Sequence, residues 1–195
     1  MPISLHKMAL LVVAGIALVR SISVLLFTVR TLLRRRDFVA AKLGWVEYSA
    51  IPEPILLALL TIFLFPGSSL AQPSLLQQVG AILGAILALG AGLFSLWTLR
   101  SLPSMGSGHY VLPDQKLVDK GPYGFVRHPI YLFAFMVWSG LAVGYASILV
   151  LGVFVVYSMP ILVLYAREEE KLMVEQFGRE YLEYQKRVGM FFPRL

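Results

Sequence analysis

The 195-residue sequence contains no cysteine. Disulfides, thiolate metal sites and cysteine nucleophiles are therefore excluded together, and cysteine usage gives no reading of the redox compartment. Charge is scarce too: 14% of residues are Asp, Glu, Lys or Arg, against about 25% in soluble domains. The three histidines, His6, His109 and His128, are too scattered to suggest a metal site, and none is expected. What fills the chain is apolar, with 58% hydrophobic residues and a mean hydropathy of +0.76. So few polar side chains cannot cover a surface in water, which excludes an ordinary soluble domain and a disordered one. The length suits a single integral membrane domain spanning residues 1–195. Net charge is +6, but the basic residues gather where apolar segments end rather than along a stripe. That pattern points to membrane lipids as surroundings and to no nucleic-acid partner.

Two stretches carry no charge at all, Pro54 to Leu99 with 46 residues and Pro129 to Ala166 with 38. Crossing a hydrocarbon core of about 30 Å takes about 20 helical residues, so each stretch reads as two helices joined by a tight turn. The first breaks at Phe65-Pro66-Gly67-Ser68-Ser69 and the second near Gly144-Tyr145-Ala146-Ser147. Period-2 alternation is missing, which argues against a barrel. Upstream, Met8 to about Leu33 is another apolar run, interrupted by Arg20 and Arg30. It lacks the layout of a signal peptide and reads as a retained first helix. The expected architecture is an all-α integral membrane protein with about five spanning helices, over about 8–30, 50–66, 75–99, 129–145 and 147–166. Arg34-Arg35-Arg36 with Lys42, the basic residues of the 100–127 loop, and those following residue 166 all fall on one face of such a bundle. By the positive-inside rule that face is cytoplasmic.

The third segment carries small residues every four positions, Gly80, Gly84, Ala88 and Gly92, a stripe that lets a neighbouring helix approach closely. Arg20 is costly inside a membrane segment, and its expected use is snorkelling or pairing with Glu53, which lies between Pro52 and Pro54. Gly106-Ser107-Gly108 follows a membrane helix rather than a strand and is no dinucleotide fingerprint.

Polar chemistry concentrates in residues 101–131 and 165–188. The first segment contains Gly121-Pro122-Tyr123-Gly124-Phe125-Val126-Arg127-His128-Pro129-Ile130-Tyr131. Pro129 suits the first turn of a helix, where its missing N–H costs nothing. Arg127 and His128 then stand before a helix N-terminus, a place that favours a carboxylate or phosphate; the plainer alternative is contact with lipid headgroups. The second segment opens with Glu168-Glu169-Glu170 and continues to Phe177-Gly178-Arg179-Glu180-Tyr181 and Tyr184. Three adjacent acids on a helix point three ways, so one or two face inward while another is solvated. An exposed charge run is the usual explanation of such a triplet; burial of a Glu beside Arg127 and Arg167, or a cationic ligand, is the functional alternative.

Leu117-Val118-Asp119-Lys120-Gly121-Pro122-Tyr123, Arg127-His128-Pro129-Ile130-Tyr131 and the segment from Glu168 through Tyr184 to Lys186-Arg187-Val188, in this order and separated by a two-helix hairpin, resemble the isoprenylcysteine carboxyl methyltransferases and their phospholipid-methyltransferase relatives. The resemblance covers about the C-terminal 80 residues. It implies a methyltransferase embedded in the membrane that uses S-adenosyl-L-methionine without a Rossmann fold. It further implies a cytoplasm-facing cofactor pocket built from the 101–131 loop and the C-terminal helical segment 167–188. A lipophilic, prenylcysteine-like substrate then enters from the bilayer. Carried over by position, Gly121, Tyr123, His128, Pro129 and Tyr131 belong to the cofactor side, as does the acidic pair Glu168 and Glu169. Arg127 and Glu168 are the candidate catalytic residues, Arg127 through the substrate carboxylate or the cofactor. Methyl transfer from a sulfonium needs neither metal nor covalent intermediate, and a carboxylate acceptor, with a pKa near ~3.5, needs no base. Phospholipid-amine or small-thiol methyl transfer is the alternative reading, followed by a sterol-reductase-like enzyme with NADPH and by a non-enzymatic membrane protein.

Overall fold

A computed structural model describes residues 4–33, 39–40, 51–66, 73–101, 110–111 and 116–194. The readings of Arg34-Arg35-Arg36, Lys42, Gly106-Ser107-Gly108 and His109 lie outside the described residues, as does most of the first turn. Each of the five apolar segments is a helix. They are α1 (Leu5–Leu33), α2 (Pro52–Leu64), α3 (Leu75–Ser101), α5 (Pro129–Gly144) and α6 (Ile148–Phe177). A short α4 (Pro122–Phe125) precedes α5, and α7 (Arg179–Arg187) follows α6. The one described strand pairing is antiparallel, between β1 (Val39–Ala40) and β2 (Tyr110–Val111). The protein is thus an all-α integral membrane protein. Three of the helices, α1, α3 and α6, are long and apolar enough to cross a membrane, whereas α2 and α5 are equally apolar but shorter, at 13 and 16 residues.

The bundle is built around α5. Helix α3 runs antiparallel to it at backbone contact: a Cβ on Gly84 would lie 2.6 Å from the Gly140 carbonyl oxygen, and one on Gly80 would lie 2.9 Å from that of Val143. Three of the four small residues on α3 therefore serve this contact, since Ala88 is fully buried beside Gly140. Gly92 does not, because nothing lies within 4 Å of a Cβ placed there. Around this seam Val13, Ala17, Leu57, Trp138, Leu141 and Val150 form a fully buried core. Leu83, Ile86, Leu89, Leu93 and Leu96 of α3 point outward instead, as lipid-facing residues do when bilayer rather than water surrounds a helix.

Inside this core Arg20 pairs with Glu53 at 2.9 Å, both side chains being buried, and Trp138 Nε1 donates to Glu53 Oε1 at 2.6 Å. The pairing expected for Arg20 is thus the one formed. The hairpin between α5 and α6 turns at Ala146, in the left-handed region at φ 48°, and Ser147 Oγ caps α6 by accepting from the Val150 N–H. Within α6 one wide turn, Phe154–Ser158, sits just before Pro160, which has no N–H to give to the ladder. Gly178, at φ 54°, separates α6 from α7. Beyond α7 the chain returns to the bundle, and Gly189 bridges Val126 in parallel orientation.

Candidate active site

Local sequence fixes how residues 121–131 enter the bundle. Gly121 adopts φ 62°, and a Cβ there would stand 3.0 Å from Ser101 Oγ, so the glycine is required for both torsion and space. Pro122 then starts α4 and Pro129 starts α5. Between them the backbone is extended and is held by the returning C-terminus: Arg127 N–H donates to the Gly189 carbonyl at 2.8 Å and His128 N–H to that of Met190 at 3.1 Å.

Side chains from this segment and from α6 meet in one cluster, in which His128, Tyr131 and Glu169 are buried and Arg127 and Glu170 partly so. Arg127 Nε donates to Glu170 Oε1 at 2.7 Å, and Arg127 Nη1 donates to the carbonyls of Gln185 and Val188. His128 Nε2 lies 3.1 Å from Glu170 Oε1, while its Nδ1 lies 3.3 Å from Glu169 Oε2. Tyr131 donates its phenol to Glu169 Oε1 at 2.5 Å. Gln185 Nε2 donates to Glu170 Oε2 at 3.0 Å, and the Tyr184 phenol donates to the Tyr123 carbonyl at 2.7 Å. A neutral imidazole has one donor and one acceptor nitrogen, so two carboxylate neighbours select the doubly protonated ring. Burial pushes His128 down, but hydrogen bonding to Glu169 and Glu170 outweighs it and raises the ring above its ordinary 6.5. Burial also raises the phenols of Tyr123, Tyr181 and Tyr184, which stay neutral at physiological pH.

The anion anticipated near the start of α5 is therefore the protein's own, as the carboxylates of Glu169 and Glu170. Of the residues singled out from sequence, Arg127, His128, Tyr131 and Glu169 meet here, with Pro129 positioning α5 and Gly121 and Tyr123 on the adjoining turn. Glu168 does not join them. It pairs outward with Lys171 at 2.7 Å on the solvent side of α6. The acidic pair in the cluster is Glu169 and Glu170, not Glu168 and Glu169. Arg127 is likewise already engaged by Glu170 and two backbone carbonyls, so its guanidinium clamps the C-terminus rather than standing open. Sequence reasoning included Glu170 in the acidic run without giving it a site role, and did not single out Gln185 or Phe191. The ring of Phe191 packs 5.9 Å from His128 and 5.1 Å from Phe135, extending the cluster into the aromatic core. Among the described residues no group of three or more His, Asp or Glu side chains is arranged to hold a metal ion.

Carboxylates, phenols and an imidazole at the edge of an apolar bundle define a membrane protein with an acidic, aromatic polar site. Residues 79–180, more than half of the chain, match the phospholipid methyltransferase family. The chain is 30% identical over 143 residues to a protein-S-isoprenylcysteine O-methyltransferase of Saccharomyces cerevisiae, covering 71% of this chain and 59% of that protein. It is 40% identical over 76 residues to a methanethiol S-methyltransferase of Pseudomonas deceptionensis, covering 37% of this chain and 27% of that protein. A nickel-cobalt-cadmium resistance protein of Alcaligenes xylosoxydans is 35% identical over 85 residues, 41% of this chain and 37% of its own length. The chain thus spans at most 59% of the length of these relatives. No solved structure matches. The chain belongs to the phospholipid methyltransferase family, in keeping with its resemblance to the isoprenylcysteine carboxyl methyltransferases.

Proposed function

We propose that this protein transfers a methyl group from S-adenosyl-L-methionine to the α-carboxylate of a lipophilic, isoprenylcysteine-like substrate at the cytoplasmic face of a membrane. One observation carries the reading: Glu169 and Glu170 from α6 converge with His128, which precedes α5, and Tyr131 in its first turn, at the end of an apolar bundle. The donor set fits the cofactor, because paired carboxylates beside aromatic rings suit a ligand bearing a sulfonium and an ammonium group. Bound there, S-adenosyl-L-methionine supplies an electrophilic methyl group. The residues that hold it are Glu169, Glu170, His128 and Tyr131, with Tyr123 and the Gly121 turn alongside. Their work is to orient the cofactor and keep water away, contributions that lower a displacement barrier by several kcal/mol. The acceptor reading draws on the O-methyltransferase relative, which aligns over 143 residues against 76 for the methanethiol enzyme. A carboxylate is ionised at neutral pH and needs no base, while the bilayer around α3 and α6 delivers an apolar tail laterally.

Methyl transfer is tested with the purified chain in liposomes, using labelled cofactor and N-acetyl-farnesylcysteine, phosphatidylethanolamine and methanethiol as separate acceptors. Base-labile label on the first is expected. Label only on the amine or the thiol overturns the acceptor and leaves methyl transfer standing; cofactor bound by neither titration nor turnover overturns both. Substitution separates the acids: Glu170→Ala weakens cofactor binding by at least about tenfold, ~1.4 kcal/mol. Glu168→Ala changes it by less than about threefold, because among the described residues it pairs with the exposed Lys171.

A further inference from the structure

Among the described residues the charges of the cluster are Arg127 and His128, positive, and Glu169 and Glu170, negative, so these four side chains sum to zero. Nearby charges are paired elsewhere: Glu168 with Lys171, and Asp119 with Arg187. Among the described residues, titratable groups on several elements surround the cluster, with Glu169, Glu170 and Tyr131 against His128 itself. Arg127 and Tyr131 lie on its own segment, Glu169 and Glu170 on α6, Tyr123 on α4, and Tyr181 and Tyr184 on α7 beside Glu170 and Arg127. The phenols outside the membrane segments remain neutral, which leaves His128, among the described residues, as the cation of the cluster able to shed its charge near pH 7, because a guanidinium cannot.

We infer that binding of S-adenosyl-L-methionine displaces one proton from His128, whose imidazolium holds the place of the cofactor's cation between Glu169 and Glu170. This rests on the proposed function. The cofactor has a sulfonium, an ammonium and a carboxylate, hence a net positive charge, and placing it in a neutral, buried site leaves that charge uncompensated. Loss of the His128 N–H proton to solvent restores neutrality, and both carboxylates keep a cationic partner. The demethylated product, S-adenosylhomocysteine, has no sulfonium and no net charge. It enters without this exchange, so the site tells cofactor from product by charge as well as by shape.

Isothermal calorimetry on the whole chain in detergent tests this, with both ligands titrated in buffers of different ionisation enthalpy between about pH 6.5 and pH 7.5. Release approaching one proton per S-adenosyl-L-methionine and close to none per S-adenosylhomocysteine is expected. Affinity for the cofactor then rises up to about tenfold per pH unit, and affinity for the product stays flat. His128→Gln removes the pH slope. Binding of both ligands with no proton release, or with equal release, overturns the exchange while leaving the cofactor site in place. Binding of neither ligand overturns the site itself. The wild-type comparison decides the matter even where His128→Gln fails to fold.

Discussion

His128 keeps two protons because two carboxylates face it, and this makes stability depend on pH with a definite sign. The folded ring titrates above its ordinary 6.5: burial opposes the charge, and the bonds to Glu169 and Glu170 more than offset that. A group raised on folding stabilises fully below its unfolded value and loses that contribution as pH climbs through the folded value. The thermal midpoint of the ligand-free chain should therefore fall from about pH 6.5 upward, and His128→Asn should lack that decline. A midpoint that rises over the same range contradicts the assigned protonation. The same cluster shows how far sequence carries at this scale. Along α6 the buried residues Leu162, Tyr165 and Ala166 repeat at helical spacing and lead to Glu169. Glu168 and Glu170 flank that stripe about 100° to either side, so periodicity cannot choose between them. The choice is made by Arg127 and Gln185, residues 43 and 15 positions away, which draw Glu170 inward. The one-residue offset between the acidic pair read from sequence and the pair that meets His128 has that tertiary cause.

Helices were far more legible than side-chain partners, because the cues that delimit them are local. Absence of charge marks the apolar runs, and proline or glycine marks their ends. Accordingly α5 begins at Pro129 as expected and stops at Gly144, one residue short of the boundary read from sequence. What a run of small residues touches is not local, which is why Gly92 shares the spacing of Gly80 and Gly84 without sharing their contact. The difference is measurable. Gly84→Val puts a Cβ 2.6 Å from the Gly140 oxygen and from Gly144 Cα, both backbone atoms that yield only if α3 and α5 separate. A loss of about 1–3 kcal/mol or more is expected, the range for overpacking a tight core. Gly92→Ala meets open space and, by better helix propensity, gains up to about 1 kcal/mol. Thermal unfolding of both variants in one detergent checks the contrast, and equal losses would refute the close approach.

Among the described residues, two ionic seams that join helices do different work. Arg127 with Glu170 joins the start of α5 to α6 and the C-terminus, at the polar end. Arg20 with Glu53 joins α1 to α2 inside the bundle, and Trp138 fastens both to α5. The inner pair is incompletely satisfied, since Arg20 Nη1 is buried without a partner among the described residues. Removing one member strands the other as a buried charge, which typically costs about 3–5 kcal/mol, whereas removing both charges costs little or even stabilises. Arg20→Met should therefore lower the thermal midpoint sharply, as should Glu53→Gln. The double variant keeps an oxygen to accept the Trp138 N–H and leaves no buried charge, so it should be more stable than either single one. Because this seam lies among the membrane helices and the Glu169–Glu170 cluster, the proposed cofactor site, at their polar end, the double variant should also bind S-adenosyl-L-methionine within about threefold of wild type, ~0.7 kcal/mol. Unfolding and titration of the four proteins side by side test both halves: a double variant no better than the singles makes the charges themselves stabilising, and one that folds but loses the cofactor makes the inner seam part of the site.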